Sequence, residues 1–165
     1  RPTSPPACIR ASSWRLLDKL GMTLQVVHAV VPGLNAALGA RIDQLLAGLK
    51  PGKCIGRSNW GVAASPELNQ HSDRGLPAPT AETPPEAIWL RREDQLLAVL
   101  PESRGIVFGI RIEQTALTTV LQSPLWSQRL ARGLATMPAE LLEYKRLEAV
   151  QPALLARLHH AAGDG

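Results

Sequence analysis

Residues 105–114 (GIVFGIRIEQ) place the strongest constraint on the fold, because Ile106, Phe108, Ile110 and Ile112 recur at every second position with Val107, Gly109, Arg111 and Glu113 between them. A period of two lines one face of a β-strand, whereas a helix would scatter those four side chains around its axis. The chain must therefore contain a sheet. TLQVVHAVV (23–31), rich in β-branched residues and ended by Pro32-Gly33, reads as a second strand with Leu24, Val26, His28 and Val30 on one face. KCIGRSNWGVA (53–63) reads as a third, bent at Gly56 and Gly61, and 87–92 as a short fourth.

The remaining periodicity is helical. Leu38, Ile42, Leu45, Leu46 and Leu49 carry one apolar face along 34–49, predicting a helix packed on the sheet and stopped at Lys50-Pro51-Gly52. Residues 93–100 read as a short helix ended by Pro101. Beyond Thr115, helical segments near 115–122, 124–135, 138–147 and 151–160 are punctuated by Pro124, Pro138 and Pro152 at their starts. At the other end, 1–11 is Pro-rich and extended, and Ser12 and Ser13 would cap a turn through Leu20, closed by Gly21. Residues 64–86 form a polar, Pro-rich loop of a length that usually carries function. The expected class is α+β: a small, largely antiparallel sheet with flanking helices and a helical C-terminal third.

A length of 165 residues fits a single domain, read as 1–165, and 45% hydrophobic against 19% charged residues excludes a disordered chain. The chain opens at Arg1 rather than Met, as a processed or partial product would. The net charge of +4 arises from a basic excess in residues 1–60. With aromatics at 4% and cations scattered singly, the pattern does not suit nucleic acid. Those arginines either meet an anionic ligand or solvate the surface. Apolar runs are too short to span a membrane, so no membrane partner is expected. Cys8 and Cys54 lie far apart with no CxxC, which gives neither a disulfide framework nor a zinc or iron–sulfur site, and a cytoplasmic setting is expected. No nucleotide-binding glycine motif is present.

Few residues stand out as chemical candidates. His28 is a lone imidazole in an apolar stretch; it is either a core histidine bonded to a backbone carbonyl or a metal or haem ligand. Arg57–Trp60 (RSNW) sets a fixed cation, an amide and a large aromatic between two glycines, which suits either a ligand clamp or a bulged strand whose Trp60 fills the core. Arg111 is either solvated or faces a ligand. Glu93 and Asp94 point apart, which disfavours a carboxylate pair. His71, His159 and His160 read as exposed and receive no role.

Five segments in order, SSWRLLDKLG (12–21), LQVVHAVVPG (24–33), GRSNWGV (56–62), WLRREDQLLAVLPESRGIVFGIRI (89–112) and MPAELLEYKRL (137–147), resemble the haem-dependent oxidative N-demethylase α-subunit family, over about residues 12–158. The resemblance implies a PAS-like haem-binding fold in which b-type haem and O2 oxidise an N-methyl group of a small secondary alkylamine such as dimethylamine, releasing formaldehyde. Electrons would come from reductase subunits carrying flavin and iron–sulfur centres. Carried over by motif, His28 becomes the haem-iron ligand, Arg57 and Trp60 line the pocket near the propionates or ring, and Arg111 joins them on the cofactor side. Glu93 would receive the amine, while Gln95, Tyr144 and Lys145 fall on motif positions without an assigned role. Asp94 stands where the family usually has a basic residue, and the family's N-terminal third is absent, so the domain is expected to be N-terminally incomplete. The alternative is a non-catalytic PAS-like haem or small-molecule sensor.

Overall fold

A computed structural model describes residues 17–163. Its sheet has three antiparallel strands, β1 (Cys54–Ala63), β2 (Trp89–Val99) and β3 (Ile106–Ala116), in the order β1-β2-β3. The helices are α1 (Leu24–His28), α2 (Leu34–Gly48), α3 (Leu117–Leu121), α4 (Pro124–Ala135), α5 (Ala139–Tyr144) and α6 (Gln151–Ala162). The class is α+β, as the mixture of two- and 3.6-residue periods requires. Among the described residues no helix is long and apolar enough to cross a membrane.

Register follows from bonds at both ends of the β2–β3 pair. Leu100 N–H donates to Gly105 O at 2.9 Å and Leu117 N–H to Ile88 O at 2.8 Å, which sets Arg92 opposite Glu113 and Arg91 opposite Gln114. The turn between them is closed by Arg104, a non-glycine residue at φ 59°. On the other side of β2, the cross-strand pairs Arg57–Gln95 and Ser58–Asp94 fix the antiparallel register with β1.

The chain divides into two compact units, and all three strands contribute to both. One comprises Asn59–Pro66, Leu76–Glu93 and Glu113–Gly165. Its core is Ile88, Leu117, Val120, Leu130, Ala131, Leu134, Leu142, Leu147, Val150, Leu154 and Leu158, with Trp60, Val62 and Leu90 of the sheet packed on it. Three of its helices begin as the prolines foretell: Pro124 and Pro152 sit in first turns and Pro138 at the N-cap of α5. Ser127 is wholly buried, and its hydroxyl donates to Val120 O.

The other unit comprises Arg1–Ser58, Glu67–Gly75 and Asp94–Ile112. Here α1 and α2 contain no buried residue. They are joined to each other, partly through Asn35 Nδ2 donating to Gln25 O at 2.8 Å. Of the expected apolar face of α2, Leu38 and Leu45 are exposed, Ile42 and Leu46 half-buried, and Leu49, just past the end of the helix, buried.

Two further expectations are corrected. Residues 23–31 are not a strand: Thr23 accepts a bond from Val26 N–H and caps α1. The half-buried residues there, Leu24, Val27 and His28, follow i, i+3, i+4 spacing rather than alternation. Local capping outweighs β-branched composition where no neighbouring strand is paired. Residues 93–100 are likewise not a helix, because β2 runs unbroken through the helix-forming EDQLLAV, held by partners on both sides. The apolar row of β3 is present, but Ile106 and Phe108 are exposed and Ile110 and Ile112 only half-buried.

The Pro-rich loop is tied down rather than loose. Glu67 pairs with Arg74, and Arg157 of α6 donates to Thr83 O at 2.9 Å and Ala81 O at 3.3 Å. His71, expected at the surface, is only 13% exposed and lies between Asp18 and Asp73 at 3.6 and 3.4 Å. The segment 1–11, the cap at Ser12 and Ser13, and Cys8 lie outside the described residues.

Candidate functional site

In the unit that carries α1 and α2, the sheet has a row of polar pairs. Arg57 Nε donates to Gln95 Oε1 at 2.6 Å, and Ser58 Oγ donates to Asp94 Oδ1 at 2.7 Å. Arg111 lies opposite Asp94 on β3, so Ser58, Asp94 and Arg111 share one face. Beside that row Gly56 and Gly109 flank Leu96, and a Cβ added at either glycine would meet nothing closer than 3.9 Å. The missing side chains leave an open depression of about 420 Å³ lined by Gly56, Arg57, Ser58, Asp94, Gln95, Leu96 and Arg111.

His28 ends α1 and is half-buried in the same unit. Burial, and then the Arg57 cation, push its pKa below the usual imidazole value, with Asp43 opposing them. Both shifts favour the uncharged ring, the form whose nitrogen lone pair can bind a metal. Among the described residues no three His, Cys, Asp or Glu side chains converge as a metal site. Apolar side chains open to this unit's surface include Val26, Val30, Leu96, Leu100 and Phe108.

Glu93 and Trp60 belong to the other unit. The indole of Trp60 lies against Gly133 of α4, within the helical packing. Glu93 is the electrostatic centre of a second cluster. Burial lowers the pKa of Arg91 and of Lys145, and the Glu93 carboxylate opposes both shifts. Burial raises the phenol of Tyr144, and the same carboxylate raises it further. Lys145 Nζ donates to Trp60 O at 2.7 Å and to Asn59 Oδ1 at 3.4 Å, tying the end of α5 to β1.

The structure thus places His28, Arg57 and Arg111 in one unit and Trp60 and Glu93 in the other. Residue-by-residue reading gave no role to Arg91, Gln95 or Gln114. Had 89–99 been read as one strand, alternation alone would have put Arg91, Glu93 and Gln95 on one face, with Arg92, Asp94 and Leu96 on the opposite one. A family model described as haem-dependent oxidative N-demethylase, alpha subunit-like, matches residues 6–155.

Proposed function

Since the chain belongs to the haem-dependent oxidative N-demethylase, alpha subunit-like family, we propose that it holds one b-type haem in a PAS-like fold and removes an N-methyl group oxidatively from a small secondary alkylamine. The observation that carries this reading is the half-buried imidazole of His28 in the same unit as Arg57 and an open depression. These residues fit the group. A haem asks for one nitrogen ligand, an apolar wall and a cation for its propionates, and His28, the exposed Val26 and Val30, and Arg57 are of those kinds, while Arg111 lies on the other face of the sheet.

In the overall reaction a secondary N-methylamine, O2, two electrons and two protons give the demethylated amine, formaldehyde and water. When bound, the haem supplies the activation of O2, with electrons delivered by separate flavin and iron–sulfur subunits. The protein's own contributions are more limited. His28 offers its lone pair only while uncharged, a form that its partial burial favours. The bond from Arg57 Nε to Gln95 fixes the guanidinium plane, leaving its terminal nitrogens as donors to a carboxylate. Glu93 receives the alkylammonium, and Trp60 supports that cluster by offering its backbone carbonyl to Lys145.

The test begins with colour. The purified chain loaded with hemin should show a Soret band that shifts or vanishes in His28→Ala and survives in His71→Ala. With a reductase partner or surrogate reductant, formaldehyde should appear from dimethylamine or a related N-methyl compound. Haem-loaded protein that binds such amines and releases no formaldehyde from any of them identifies a sensor instead.

A further inference from the structure

The cluster around Glu93 has more positive than negative charge. Arg91 and Glu93 share one face of β2 by alternation, Gln114 lies opposite Arg91 on β3, and Lys145 reaches the same strands from α5. Two cations thus surround one carboxylate, and Arg91 is 4% exposed. An alkylammonium alone would add a third cation. The charge balance instead calls for a ligand that brings an anion with its ammonium.

Two further observations point to the same place. The side-chain nitrogen and oxygen of Gln114 are both shielded from solvent and have no hydrogen-bond partner. A buried amide left unpaired is costly, so such a group needs a ligand or a water. Gly61 lies opposite Arg91 on β1, and a Cβ built on it would meet nothing within 4 Å. Its backbone is not in the left-handed region, so no conformational demand calls for glycine there. The bare position leaves room beside Arg91.

We propose that the sheet face carrying Arg91, Glu93 and Gln114, bordered by Lys145 and Tyr144, binds an N-methyl amino acid, whose ammonium pairs with Glu93 and whose carboxylate is received by Lys145 and the Gln114 amide. This deepens the N-demethylase reading and rests on it for the N-methyl group. The site selects by the carboxylate.

The sharpest probe pair is N-methylglycine and dimethylamine, which differ only in a carboxylate on one methyl group. Calorimetric titration of the full chain, with and without hemin, should show N-methylglycine binding at least about tenfold more tightly, the worth of one charge-assisted hydrogen bond. Gln114→Leu and Gly61→Val should each abolish that preference while leaving thermal stability equal or higher, since neither loses a hydrogen bond. Equal or tighter binding of dimethylamine overturns the inference. So does a preference that persists in both variants, or a Gln114→Leu protein that is destabilised with its selectivity intact, which would assign the amide to a buried water only. Formaldehyde released from dimethylamine but not from N-methylglycine overturns the inference and leaves the N-demethylase reading standing. Selective binding of N-methylglycine without formaldehyde from either compound upholds the site and removes that reading.

Discussion

Gly133 lies beneath the indole of Trp60, so close that a Cβ built on it would stand 3.0 Å from ring carbon Cζ2. The contact joins the last turn of α4 to β1. A glycine inside a helix gives up about 1 kcal/mol relative to alanine, so its presence here must be repaid by packing.

Gly133→Ala should therefore destabilise the protein despite alanine's better helix propensity. The ring is rigid and packed on the core, so a displacement of a few tenths of an ångström propagates into its neighbours. A net loss of about 1 kcal/mol is expected in urea denaturation, growing with Gly133→Val. A variant more stable than the parent would show that the indole can move aside.

Tyr144 is the single tyrosine in the sequence, so the tyrosinate absorbance band reports on one residue. Burial and then the Glu93 charge raise its pKa above the ordinary 10.0. The titration midpoint should lie above that value and move down in Glu93→Gln, which removes the smaller of the two causes. The phenolate is disfavoured in the folded state, so this group's contribution to stability is complete below pH 10 and is lost as pH rises through the folded value.

Core substitutions should separate the two units. Leu134 is fully buried, and Leu134→Ala should cost about 2–5 kcal/mol. Leu45 in α2 is 45% exposed, and Leu45→Ser should stay within about 0.5 kcal/mol. Equal losses in chemical denaturation would contradict the burial pattern.

Arg157 holds the loop through the carbonyls of Thr83 and Ala81. Arg157→Ala should raise the rate of limited proteolysis between residues 80 and 84 several-fold without changing the cleavage of 67–75, which has its own Glu67–Arg74 pair. Unchanged cleavage at 80–84 would mean the loop is held by other contacts.

Legibility in the sequence tracked how local the cause was. The alternation of β3, the strand at 54–63 and the proline-led helices from α4 onward were readable, because each is announced within its own few residues. The helix α1 was not, because TLQVVHAVV has the composition of a strand and only the Thr23 hydroxyl bond decides otherwise. The strand β2 was read only as far as Arg92, for the opposite reason: Glu93 through Val99 favour a helix in isolation, and pairing with β1 and β3 overrides them. That error also hid part of the candidate site. His28, Arg57, Arg111 and Glu93 could be singled out by residue type and motif, but Arg91 and Gln114 acquire meaning only from cross-strand register, which no local pattern contains.

Helices α1 and α2 bury no residue of their own, and the hydrophobic effect stabilises a helix only through area taken from water. The area they take from water is therefore small, and a ligand that covered them would stabilise them by mass action. Above its dissociation constant, each tenfold rise in such a ligand adds about 1.4 kcal/mol to the state in which both helices are formed. Amide exchange along 24–48 would then read as a binding isotherm, while exchange in α4 and α6, anchored by Leu134, Leu154 and Leu158, would hold constant across the same titration.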